Sequence, residues 1–298
     1  MTSVMYLAVL AGLALACERG AAGAEAQAEL AERARTFDER LAAARQGPGD
    51  EPVARWELPA MLAEISGLAL TPDGRLLAHG DETGDIYEID YRTGLVAKRF
   101  SLGPDPVTDD FEAIGVRDTQ VVLFTSKARA YQFAEGRNDA TVSYETREIR
   151  LDDDCREFEG AAFAPDGGML TLACKATRGK RGGRLLLYRV DASDSAAGRF
   201  DRIEVPIDSM RARGPKWKEF SASDMAIRPD NGNYVLVAGP ERGYLELTPD
   251  GVVVVARGLS SDHPQSEGIA VTRDGLLLIA DEAGDGRASL TVYAAPFR

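Results

Sequence analysis

One short pattern returns five times along this chain, and it constrains the fold more than any other feature. It reads Ser66-Gly67-Leu68-Ala69-Leu70, Glu112-Ala113-Ile114-Gly115-Val116, Glu159-Gly160-Ala161-Ala162-Phe163, Ser223-Asp224-Met225-Ala226-Ile227 and Glu267-Gly268-Ile269-Ala270-Val271. Each copy is a small or acidic residue followed by a short apolar run, and the copies lie 46, 47, 64 and 44 residues apart. Turn residues follow, as in Thr71-Pro72-Asp73-Gly74, Ala164-Pro165-Asp166-Gly167 and Arg228-Pro229-Asp230-Asn231-Gly232. Proline presets φ, and Asp, Asn and Gly accept turn geometry, so these are hairpin signals. Second apolar runs come next (Met169–Cys174, Tyr234–Ala238), and third runs often follow, such as Leu185–Val190.

Short strands at this period, with no helical segments between them, read as propeller blades of about four strands. The expected fold is all-β: a five-bladed β-propeller with four-stranded antiparallel blades over residues 51–298. The fifth copy runs out after three strands, at Ser289–Ala294, while Val53–Leu58 has no other partner. That early strand is expected to complete the last blade and close the ring, which removes exposed sheet edges. The long third spacing carries an insertion, Asp191–Lys218, the one place where part of a sixth blade would fit.

Composition narrows the function classes. Lys+Arg 35 against Asp+Glu 48 leaves a net charge of −13. Nucleic acid is therefore not an expected partner, because phosphate contacts need a basic surface. The apolar run Val4–Ala16 is too short for a spanning helix, which needs roughly 20 residues. It ends at Ala14-Leu15-Ala16-Cys17 and reads as a secretory signal over 1–17, with Cys17 a candidate for lipidation. The expected location is the bacterial cell envelope, periplasmic or lipid-anchored, touching membrane only through that anchor. Residues 18–50 hold helix formers without a clear apolar stripe, expected to form a solvated helical tether that Gln46-Gly47-Pro48-Gly49-Asp50 terminates.

Two cysteines remain beyond the signal. The hairpin turn near Asp166-Gly167 places Cys155 and Cys174 at the same end of one hairpin. In an oxidising compartment a disulfide is expected there; the alternative is a pair of buried thiols.

The chemistry-bearing residues follow from the fold. The first strand of each blade lines the central channel, so the leading residues form a ring: Ser66, Glu112, Glu159, Ser223 and Glu267. Asp110, Glu157 and Asp224 lie beside it in sequence. At about 8 Å and an effective dielectric near 20, each carboxylate pair costs roughly 2 kcal/mol. Three offsets are open: a hard cation such as Ca²⁺, protonation of one carboxyl, or a lysine, with Lys127 and Lys175 on the same face. Asp81, Glu82, Asp281, Glu282 and His263 gather at the same mouth. His263 reads either as a general base or as a solvated loop residue, and His79 as structural. The basic run from Lys175 to Arg184 lacks the spacing of a phosphate loop, and no nucleophile elbow, EF-hand loop or dinucleotide fingerprint is found.

The order Ser, Glu, Glu, Ser, Glu is carried by Ile65-Ser66-Gly67-Leu68, Phe111-Glu112-Ala113-Ile114, Phe158-Glu159-Gly160-Ala161, Ala222-Ser223-Asp224-Met225 and Ser266-Glu267-Gly268-Ile269. It resembles the SdiA-regulated (YjiK-like) family of exported bacterial β-propeller proteins, over about Trp56 to Tyr293. That resemblance implies a five-bladed propeller, an envelope location and calcium at the channel mouth, and it supplies no reaction. The chain departs from the pattern at Asp224, where other copies carry Gly or Ala, and in its long third spacing. More loosely, it resembles the phytase-like esterase propellers.

Two functions are therefore expected. In the first, the acidic mouth binds an unknown small molecule or envelope protein together with calcium. Glu112, Glu159 and Glu267 would hold the metal, and Ser66, Ser223, Asp224, Asp81, Lys127, Lys175, His263 and Glu282 would face the ligand. The alternative is a metal-dependent phosphoesterase or lactonase, in which Lys127 or Lys175 meets the phosphate.

Overall fold

The repeat closes into a ring of five sheets. The computed structural model describes residues 27–47, 50–177, 183–194 and 198–297; the signal, Cys17 and part of the basic run lie outside them. A helix, α1, covers residues 27–44. Strand β1 (Pro52–Glu57) precedes the first repeat. The first blade is β2 (Ile65–Leu70), β3 (Leu76–Gly80), β4 (Asp85–Asp90) and β5 (Leu95–Leu102). The second is β6 (Phe111–Arg117), β7 (Gln120–Thr125), β8 (Arg129–Ala134) and, after a short β9 (Ala140–Val142), β10 (Tyr144–Glu148). The third is β11 (Cys155–Phe163), β12 (Met169–Thr177), β13 (Arg184–Asp191) and β14 (Asp201–Pro206). The fourth is β15 (Asp224–Ile227), β16 (Tyr234–Ala238), β17 (Gly243–Leu247) and β18 (Val253–Gly258). The fifth holds β19 (Ser266–Val271), β20 (Leu277–Asp281) and β21 (Ser289–Tyr293), with β1 pairing antiparallel to β21.

The early strand thus closes the ring as the sequence implied. One detail was not legible: β9 leaves the second blade and adds a parallel fifth strand to the edge of the first, against β5. Among the described residues the insertion holds no sixth blade; its strand β14 is the fourth of the third blade. It contains β14 and a short helix α2 (Ile207–Arg211) whose Met210 is buried together with Trp217 of the following loop.

The turns carry the register. Thr71, Thr248 and Thr272 each accept a backbone N–H four residues on through Oγ1 (Arg75 at 2.9 Å, Val252 at 3.1 Å, Leu276 at 2.9 Å). Gly74 and Gly275 within two of these turns sit at φ of 87° and 88°, where a side chain is strained. Around the axis, each inner strand packs on the inner strand of the next blade: β2, β6, β11, β15 and β19, back to β2. Large apolar side chains fill the spaces between blades, including Phe111 with Tyr131, and Tyr244 with Phe297.

Helix α1 differs from the solvated tether expected of it. Phe37 is buried among Val53, Leu58 and neighbouring apolar groups, with Leu41 and Ala44 packed beside it. Arg45 pairs with Asp274 at 2.9 Å. Its sparse apolar residues were enough to dock one face. Among the described residues no helix is long and apolar enough to cross a membrane.

Cys155 and Cys174 form a disulfide with Cα atoms 5.9 Å apart. It ties the start of β11 to the far part of β12, and a closed loop of this size contributes about 3 kcal/mol in the chain-entropy model.

Candidate functional site

The ring residues owe their position to a backbone irregularity repeated in every blade. In β2 the partners step from Ile65↔Gly80 to Gly67↔His79, which leaves Ser66 as the extra residue of a bulge. In the same way Glu112 is extra in β6, Glu159 in β11 and Glu267 in β19. In the fourth blade Ser223 N–H donates to the Val237 carbonyl at 2.8 Å while Asp224 is also paired with Val237, so Ser223 is doubled up as well. A bulge frees one residue from the alternation of the strand and re-aims its side chain. Five bulges at the same height turn a column of sequence into a ring.

One lysine faces the acidic members. The Lys175 ammonium pairs with Glu159, and its charge acts on Glu267 and Glu112 too. Burial pushes the Glu112 carboxyl up to about 9, with the neighbouring Glu159 and Asp110 charges adding to it. Burial also raises Glu159, which Lys175 pulls back to about 7. Glu267 is raised by burial against the opposing pull of Lys175 and a hydrogen bond from Ser223. For Lys175 burial works downward, but the Glu159 contact and the Glu267 and Glu112 charges prevail and hold its pKa above the ordinary lysine value. Of the three offsets considered for the ring, the lysine pairing is present, and burial moves the ring carboxyls toward protonation.

The donor chemistry suits a hard cation, but the arrangement does not. Among the described residues no three His, Cys, Asp or Glu side chains converge on a point that would hold a metal ion, and Lys175 pairs with Glu159. As arranged, the ring carboxyls surround the Lys175 ammonium.

A second carboxyl group lies next to the ring. Glu282 shares a hydrogen bond with Glu64 and is pushed up to about 7, first by burial and then by that neighbour. Gln265 donates to Glu282 at 3.1 Å. Asp81 is raised by burial, with the Glu64, Glu82 and Asp110 charges acting in the same direction, and its Oδ1 is buried without a partner. Glu64 is a site residue that the sequence reading missed. Its signal was available, since Glu64, Asp110 and Glu157 each stand two places before a ring residue. A cavity of about 330 Å³ opens beside Glu267, lined by Gly239, Pro240, Arg242, Pro264 and Gln265.

Other candidates sit elsewhere. His263 is wholly buried: Nδ1 meets Asp281 Oδ2 at 2.8 Å and Nε2 meets the Tyr293 hydroxyl at 2.7 Å. With both nitrogens engaged inside the fifth blade, it is neither a solvated residue nor an accessible base. Lys127 is exposed and donates to the Arg156 carbonyl at 3.1 Å. His79 is buried and held down to about 4 by loss of water, with Nδ1 on the Gly80 carbonyl at 2.8 Å.

Asp224 explains its own departure from the repeat. Its carboxylate accepts the N–H of Met225 at 2.7 Å, of Ile269 at 2.8 Å and of Leu68 at 3.2 Å. It therefore staples the inner strands of the fourth, fifth and first blades together, using the amides that follow Gly268 and Gly67. Burial raises its pKa well above the ordinary value, while the three amides pull it down.

No protein-family model and no curated protein matches the sequence. Solved structures do resemble the fold. A glutaminyl cyclase from Myxococcus xanthus superposes with TM-score 0.54 at 12% identity, over 81% of this chain and 94% of that one. The PQQ-bound aldose sugar dehydrogenase from Streptomyces coelicolor gives 0.51 at 15% identity, over 83% and 99%. A Bacteroides caccae protein of unknown function gives 0.41 at 15% identity, over 69% of this chain and 64% of that one, so this chain spans less than two thirds of its length. At these identities the likeness is one of fold.

Proposed function

We propose that this chain is an exported propeller of the cell envelope, of the SdiA-regulated type, and that its acidic mouth binds a positively charged ligand. The observation that carries the reading is the ring itself: Glu112, Glu159 and Glu267, aimed inward by bulges, share one ammonium, that of Lys175. A ligand bearing an amine or guanidinium group would meet carboxyls whose acidity is already suppressed, and would release protons on binding. Calcium stays in this reading as a competitor for the same carboxylates, one that must first displace Lys175. The exported location rests on the signal-like N-terminus.

The test is calorimetric titration of the mature domain with a diamine and with calcium chloride, each in two buffers of different protonation enthalpy. Saturable heat that depends on the buffer, and that disappears in Glu159→Gln, supports the reading. No heat with either probe, together with an unchanged melting temperature, overturns it. The hydrolase alternative gains nothing from the geometry, because Lys175 is held by Glu159 and Lys127 by a backbone carbonyl.

A further inference from the structure

The opposite end of the same channel is a separate cavity of about 650 Å³. It lies where the five inner strands turn back. Its inner wall carries Leu70, Val116, Phe163 and Ile227 from four different blades, and its rim is polar, with Thr71, Asp73, Arg117, Asp118, Arg273 and Asp274. Volumes of several hundred cubic ångströms, with apolar walls and a few polar groups, are typical of small-molecule sites.

The rim carries both signs of charge, two arginines and three aspartates. Arg117 lines the cavity with its guanidinium 5.8 Å from the Phe163 ring centroid. Its stem packs over Gly167, where an added Cβ would meet Arg117 Cγ at 2.9 Å. Its polar contact is a long one, 3.4 Å to Gln120. Arg273 lines the same rim from the fifth blade. Among the described residues neither arginine has a carboxylate within ion-pair distance, although most arginines of this acidic protein do. Two of the three rim aspartates are already held: Asp73 by Arg75 at 2.9 Å and Asp274 by Arg45 at 2.9 Å. The third, Asp118, is exposed at a turn. An arginine stacked on an aromatic face, with its fork uncommitted, is a receptor for a planar anion.

We propose that this funnel binds a small amphipathic anion, an apolar body carrying one carboxylate, whose head meets Arg117 and Arg273 while the body lies against Phe163, Val116, Leu70 and Ile227. The site is independent of the acidic mouth and requires nothing bound there.

A fluorescent anilinonaphthalene sulfonate reports on it. The folded mature domain is expected to bind the dye saturably at one site, and decanoate is expected to displace it at lower concentration than decanol. Arg117→Gln should weaken decanoate about tenfold, the loss of one charge-assisted contact, and leave decanol unchanged. Absence of saturable dye binding overturns the proposal. So does equal displacement by acid and alcohol, or an Arg117→Gln protein that binds decanoate as the parent does. Should Arg117→Gln melt early, Arg273→Gln makes the same measurement from the exposed side of the rim.

Discussion

The two ends of the channel are built from the same five strands and have opposite chemistry. At the entrance to each strand a bulge turns one side chain inward, and the result is a ring of carboxyls and hydroxyls around Lys175. Further along, the ladder is regular, and Leu70, Val116, Phe163 and Ile227 line a cavity whose polar rim includes Arg117. Each copy of the repeat opens on a serine or glutamate and continues into apolar residues, and the bulge at its head aims the polar side chain at the axis. Asp224 stands between the two, fastened to three inner strands.

The most damaging way to break this contrast is to remove that fastening. Asp224→Leu leaves three buried amides unpaired at about 1–3 kcal/mol each, so the loss in urea unfolding should reach about 4 kcal/mol and disturb both ends. Asp224→Asn, which turns an NH₂ toward one of those amides, should lose about half as much.

The disulfide comes next. Replacing Cys155 and Cys174 together with serine should cost about 3 kcal/mol in the same assay. Its effect should be one-sided, because the bridge braces the stretch of β11 and β12 that carries Glu159 and Lys175. Dye binding in the funnel should survive it.

Lys175→Met sharpens the contrast at smaller scale. It strips the acidic end of its central cation, and should destabilise by about 1–2 kcal/mol above pH 7, where Glu159 would otherwise ionise. Below pH 5 the loss should shrink, since protonated carboxyls no longer need the ammonium.

Glu112→Gln acts on a slope rather than a level. Glu112 holds its proton to about 9 in the fold against an ordinary 4.5. The unfolded chain releases that proton first, so the group's contribution to stability is lost as pH rises between those values. Glutamine removes that part of the decline, and melting curves at successive pH values measure it. His79 acts the other way: held to about 4, it makes stability rise with pH from there to 6.5.

Much of this was legible beforehand. The five copies, the turns between their strands and the orphan strand Val53–Leu58 specify a closed ring, because each apolar run needs a partner face and the count leaves one blade short. The disulfide followed from hairpin arithmetic. The site was legible as a column, though its content was not. Glu64 was missed although, like Asp110 and Glu157, it stands two places before a ring residue. His263 looked like a loop residue, and only packing brought it against Asp281 and Tyr293. Helix α1 looked solvated because one phenylalanine makes a weak stripe, yet Phe37 found a ready apolar groove.

The sequence by itself determined the ring, its closure and the identity of the inward-facing column, since hydrophobic alternation and turn chemistry act locally and repeat. Tertiary structure alone decided that Lys175, and not Lys127, meets the carboxyls, that Asp224 binds backbone, and that Arg117 lies over the Phe163 ring at the far end of the channel. Those outcomes depend on which groups from different blades approach within a few ångströms, and Coulomb and desolvation energies at that range are set by the geometry of the closed ring.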